Sequence, residues 1–148
     1  MWRVGIPLGL SIAQQTLFGS KVSYPIAASF QPPAYVFPWV WTVLYVGLGV
    51  YFHRVRTETR ALWLESVFVL GLMFNLSWTP VTIVAKRYVL GIYLIMGMLA
   101  STGGLMVATE DVVSRTLLVP YMAWLTIALI LNVELSRKRV RFEEKVKN

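Results

Sequence analysis

The sequence predicts an all-α membrane protein, a bundle of five transmembrane helices, and three observations carry that prediction. The 148 residues are 57% hydrophobic and 14% charged, with a mean hydropathy of +0.62, where a soluble domain carries about 25% charged residues. The apolar residues fall into five runs, each near the length of about 20 residues that a helix needs to cross a bilayer. The basic residues gather between those runs and in the final stretch SRKRVRFEEKVKN, the ordinary pattern of charge flanking membrane spans.

The expected spans are 3–20, 34–53, 61–84, 88–109 and 116–135, in one domain over 1–148 with a basic C-terminal tail at 136–148. The first run begins at Arg3 and is diluted by Ser11, Gln14 and Gln15. It reads as a retained helix with those residues facing a bundle interior, since no small-x-small cleavage pattern follows to mark a secretory signal. The second run follows Pro32 and Pro33, which suit the start of a helix, where a missing N–H costs nothing. HRVRTETR, Lys86-Arg87 and TEDVVSR join the remaining runs. Connections so short make sequential helices antiparallel neighbours.

Charge sets the orientation. With five spans, one side holds Lys21, Lys86, Arg87, Arg137, Lys138, Arg139, Arg141, Lys145 and Lys147, against Arg3, Arg54, Arg56, Arg60 and Arg115 on the other. Nine against five favours a cytosolic C-terminus. The same distribution argues against a nucleic-acid partner despite the net charge of +7, because the cations form no separate basic patch. There is no cysteine, which excludes disulfides and thiolate chemistry. The one histidine, His53, stands beside Arg54 without carboxylate or thiolate neighbours, a poor metal ligand. No nucleophile triad or phosphate-cradling glycine loop is present, so neither catalytic residues nor a metal are expected.

The chemistry lies in aromatic and amide residues. Trp41 and Tyr45 are four apart and share a helix face, with Gly47 and Gly49 following. Tyr35 and Trp39, nearer the start of the run, fit an interfacial belt equally well. In the third run Asn75 lies near mid-membrane, with Trp78 one turn later on the same side. An amide in hydrocarbon needs either another helix or a ligand as partner. Tyr121, Trp124, Ala128 and Asn132 follow at spacings of 3, 4 and 4, one stripe in which small Ala128 leaves a hollow beside a flat wall. A slot so walled suits a large planar apolar ligand. The same rings packing on one another is the alternative, and the sequence leaves both open.

These residues resemble the translocator protein family, also called tryptophan-rich sensory proteins or peripheral-type benzodiazepine receptors. Its second-helix pattern is similar to Pro32-Pro33, Val40-Trp41, Leu44-Tyr45 and Leu48-Gly49. Its third-helix pattern resembles Phe74-Asn75 with Trp78 and Pro80, and its fifth Pro120-Tyr121, Trp124, Ala128 and Leu131-Asn132. The resemblance implies a five-helix bundle that binds porphyrins, cholesterol and benzodiazepine-type ligands, with Trp41, Asn75, Trp124 and Ala128 lining the pocket and the prolines fixing its lid. It implies a mitochondrial outer membrane in a eukaryote or a cell-envelope membrane in a bacterium, and it allows a homodimer.

Two departures shape the expected ligand. Ala27-Ala28-Ser29-Phe30 stands where the family has lysine, proline and tryptophan ahead of the proline pair, so the lid differs. Val133 stands where animal members carry the tyrosine of their cholesterol motif, although Arg137 remains. Val46, Tyr51 and Arg54 also match that loose motif. Protoporphyrin or a related tetrapyrrole is therefore expected ahead of sterol, in a sensor, carrier or scavenger. The alternatives are photo-oxidative porphyrin degradation through Trp41 and Trp124, and a proton-coupled exporter that needs Glu65 embedded in the membrane.

Overall fold

A computed structural model describes residues 5–18, 33, 36–59 and 62–147, all of them helical apart from short connections. The helices are α1 (Gly5–Phe18), α2 (Val36–Arg54), α3 (Leu62–Trp78), α4 (Tyr88–Ala108) and α5 (Val112–Lys147). Four of them, with the turns that extend them, are long and apolar enough to cross a membrane, over Val36–Thr57, Leu62–Val84, Tyr88–Ala108 and Val112–Phe142. The described part of α1 has 14 residues, about 21 Å at 1.5 Å per residue, against a hydrocarbon core of about 30 Å. It packs along α2 and touches α3. The expectations for Arg3, Lys21, Pro32, Tyr35 and Arg60, and for the side chains of Ser11, Gln14 and Gln15, fall outside the described residues.

Leu44, Leu48, Phe68, Ile95, Leu118 and Leu125 meet in a buried core shared by α2, α3, α4 and α5. Val43, Met73, Tyr93, Met96 and Ile130 stay exposed on the outer faces of the same helices. So large an apolar outside would be an aggregation liability in water and is the lipid-facing surface of a bundle in a bilayer.

Two boundaries differ from expectation, and a third is reached by an unexpected turn. HRVRTETR is not an open loop from the start, because a π turn carries α2 on from Val55 to Thr59. A second π turn, Thr79–Val84, carries α3 to its expected end at residue 84. Pro80 has no N–H to give to the preceding turn, and the ladder there widens so that Ala85 N–H reaches Pro80 O at 2.9 Å. Lys86, at φ 55°, then takes the left-handed conformation that reverses the chain into α4. The tail is not a separate segment either: it continues α5 to Lys147. After Pro120 that helix meets no glycine or proline, and Glu134 pairs with Lys138 at 2.9 Å one turn later.

The two ends of the bundle are tied differently. At one, Arg54 on α2 donates to Asp111 Oδ2 (3.0 Å) and to Ser114 Oγ (3.0 Å). Asp111 caps α5 by accepting the Ser114 backbone N–H at 2.7 Å. Tyr51 and Thr109 share a hydroxyl hydrogen bond of 2.9 Å beside them. At the other end, Asn132 Nδ2 on α5 donates to Tyr88 O at 2.7 Å. Gly91 allows that approach, since a Cβ there would lie 2.2 Å from Thr82 Oγ1 and 3.1 Å from Asn132 Nδ2.

Candidate functional site: a tryptophan-walled slot over a tyrosine–asparagine layer

The expected residues are brought together, in two layers. Trp41 on α2, Trp78 at the end of α3, and Trp124 with Ala128 on α5 line one slot with Phe37, Ile83, Leu131, Asn132 and Leu135. It lies at the end of the bundle where α2 begins and α3 ends. Each wall tryptophan has a partner about one turn deeper on its own helix: Tyr45 below Trp41, Asn75 below Trp78, Tyr121 below Trp124.

That deeper layer is a closed polar chain. The Tyr45 hydroxyl donates to Asn75 Oδ1 in a short hydrogen bond. Asn75 Nδ2 donates to Tyr121 Oη at 2.9 Å, and the Tyr121 hydroxyl points to Met98 Sδ at 3.5 Å. All three residues are buried. The mid-membrane amide is thus satisfied between helices, as hydrocarbon surroundings require, and supports the slot from below.

The upper layer is an aromatic cluster with a small cavity left inside it. The rings do pack on one another. Trp41 and Trp124 meet edge-on, with centroids 6.3 Å apart at 88°, and Phe37 leans on Trp124 at 5.6 Å and 70°. Trp41 also tilts over Tyr45 at 5.5 Å. Between them remains a cavity of about 40 Å³, room for about three waters. The slot is also underbonded. The indole Nε1–H groups of Trp78 and Trp124 and the Oδ1 of Asn132 are buried without a partner, as is Thr82 Oγ1 beside Asn132. A buried polar group left so costs about 1–3 kcal/mol, and here three of the four belong to residues lining one cavity.

Other expected residues stand elsewhere. Pro33 is exposed and accepts the Val36 N–H at 2.9 Å, where α2 starts. Trp39 is 73% exposed and Trp63 56%, positions that fit the interfacial belt. Glu65 takes Arg56 Nη1 on both oxygens, at 2.5 and 2.6 Å, an ion pair joining the end of α2 to the start of α3. Tyr51 is fully buried and bonded to Thr109, and Arg54 is engaged by Asp111, so the Val46–Tyr51–Arg54 stretch offers no ring to a sterol. Asn132 ends the expected stripe, whereas Phe37, Ile83 and Leu135 were not among the expected site residues. Phe37 is four before Trp41, so the periodicity that marked its neighbour marks it too. Ile83 enters only through the π turn, which no spacing announces.

Comparison with known proteins shows the family of the chain. The chain matches the model of the TspO/MBR family over residues 4–137. It is 33% identical over 110 residues to a tryptophan-rich sensory protein of Cereibacter sphaeroides, covering 73% of this chain and 70% of the relative. It is 26% identical over 148 residues to the tryptophan-rich protein TspO of Chlorobaculum tepidum, covering 87% and 88%. Protein CrtK of Rhodobacter capsulatus is 30% identical over 118 residues, covering 74% and 72%.

Proposed function

Because the chain belongs to the TspO/MBR family, we propose that this integral membrane protein binds planar apolar ligands of the tetrapyrrole class, protoporphyrin among them, in the tryptophan-walled slot. It acts as their sensor, carrier or scavenger. The observation that carries the reading is the pair of unpartnered indole N–H groups in an otherwise apolar aromatic cavity. A protoporphyrin offers flat rings to stack on the walls and carboxylates to accept those N–H groups. The cavity is smaller than the roughly 300–1,000 Å³ of ordinary ligand sites. Binding therefore parts the rings, and the first turn of α2, where Phe37 leans on Trp124, is the element that yields. With Val133 in the sterol position, cholesterol binds more weakly than tetrapyrrole. In the same reading α1 completes a fifth span and the C-terminus is cytosolic.

The test compares two tryptophans. Trp124→Phe removes an N–H and part of a stacking surface, about 1 kcal/mol or roughly a fivefold loss of protoporphyrin affinity. Trp63→Phe, on the exposed start of α3, leaves affinity unchanged. Equal affinities for the two variants contradict the slot.

A second reading has one observation in its favour. Trp41 and Trp124, the pair through which photo-oxidative porphyrin breakdown would run, meet edge to face with centroids 6.3 Å apart in the same slot. Illumination of the protein with protoporphyrin and dioxygen, followed by product analysis, decides it. Unaltered porphyrin rules the enzyme out and leaves the binding protein.

A further inference from the structure

We propose that the groove between the start of α4 and the late part of α5 holds the headgroup of an anionic phospholipid. The groove is separate from the tryptophan slot and measures about 490 Å³. Lys86, Arg87 and Arg139 line its polar side, and Val89, Leu90 and Tyr93 its apolar side. The two sets are stacked along the membrane normal. α4 begins at Tyr88 and spans 21 residues, about 31 Å, the full thickness of the hydrocarbon. Lys86 and Arg87 therefore stand at headgroup level, and Val89, Leu90 and Tyr93, all exposed, at the top of the acyl region.

Lys86 and Arg87 hold none of the carboxylates of the described residues, and both are exposed. Arg139 is fixed as the third wall: its Nη1 donates to Lys86 O at 2.5 Å and its guanidinium lies 5.6 Å from the centre of the Tyr88 ring. Ser136 adds a hydroxyl beside it. Two exposed cations, one fixed guanidinium and a hydroxyl suit a phosphate, since guanidinium and ammonium groups both give charge-assisted hydrogen bonds to phosphate oxygens. The apolar wall directly below has no use for a free anion. It suits an acyl chain covalently tied to that phosphate, and basic pockets between helices near the cytosolic surface are where anionic headgroups bind.

The plain alternative is that these cations only mark topology, as flanking charges do, and the experiment separates the two. The full-length protein is placed in nanodiscs of phosphatidylcholine and phosphatidylglycerol in equal amounts. Native mass spectrometry then reads which lipid stays bound on release. The wild type retains one phosphatidylglycerol in preference to phosphatidylcholine. Lys86→Gln/Arg87→Gln lowers that preference about tenfold. The control is Arg137→Gln/Arg141→Gln, which removes the same charge from exposed positions one turn apart on α5, outside the groove; its preference stays within about twofold of wild type. Far-UV circular dichroism confirms that each variant keeps its helices, and Tyr93→Ala supplies a second variant that alters the apolar wall without changing charge. Tyr93→Ala also lowers retention, whereas excess glycerol phosphate does not displace the lipid. Equal losses in the groove and control variants, no preference in the wild type, or displacement by glycerol phosphate each overturn the proposal.

Discussion

At the scale of single residues, the chain separates two jobs that its aromatic and amide residues are able to do. Trp41, Trp78 and Trp124 wall a cavity, while Tyr45, Asn75 and Tyr121, one turn deeper, hydrogen-bond three helices together. Asn75→Leu leaves the hydroxyls of Tyr45 and Tyr121 without their amide. Interhelical hydrogen bonds in membranes contribute about 0.6–2 kcal/mol each, so the variant loses about 1–3 kcal/mol of stability. An unfolding titration from mild detergent into dodecyl sulfate measures it. An unchanged midpoint shows that the polar chain does not hold the helices. The sequence made Asn75 visible because an amide stands out in an apolar run, yet it left two partners open, helix or ligand. Only the positions of Tyr45 and Tyr121 across from it decide for the helix.

At the scale of elements, the connection between α4 and α5 carries a pH dependence. Ser114, through its hydroxyl and its backbone N–H, and then the Arg54 guanidinium hold the Asp111 carboxyl down at about 2. Its folded value lies below the ordinary 3.8. The stabilisation is therefore fully present above about pH 4 and is lost as pH falls toward 2. Thermal melts in detergent across that window should show the wild type weakening more steeply than Asp111→Asn, which is already uncharged. Parallel curves contradict the cap as the source. Four of the helices were legible from apolar run length alone, and α4 falls within a residue of its expected bounds. The π turns were not legible, because they depend on which carbonyl a displaced N–H finds after Pro80. Nor was the helical tail, where charge suggested a solvated segment while an i,i+4 ion pair and good helix formers continued α5.

At the scale of the whole molecule, the slot and the basic groove lie at the same end of the bundle, beside Lys86, Arg87 and the α5 extension. In the orientation proposed from the charge bias of nine to five, that end is the cytosolic one, and a tetrapyrrole would reach the slot from there. A tag on the C-terminus should be reached by a membrane-impermeant reagent only from the cytosolic face. Labelling from the opposite face reverses the orientation and the direction of ligand access with it.

The central claim, that the slot between α2, α3 and α5 receives a planar tetrapyrrole, meets its most direct test in a titration of intrinsic tryptophan fluorescence with protoporphyrin in detergent. The wild type is compared with Ala128→Phe, in which a ring fills the hollow beside Trp124. The account predicts saturable quenching at one ligand per chain for the wild type. For Ala128→Phe it predicts a loss of about tenfold or more in affinity, about 1.4 kcal/mol. Quenching that never saturates, or the same affinity in both proteins, contradicts it.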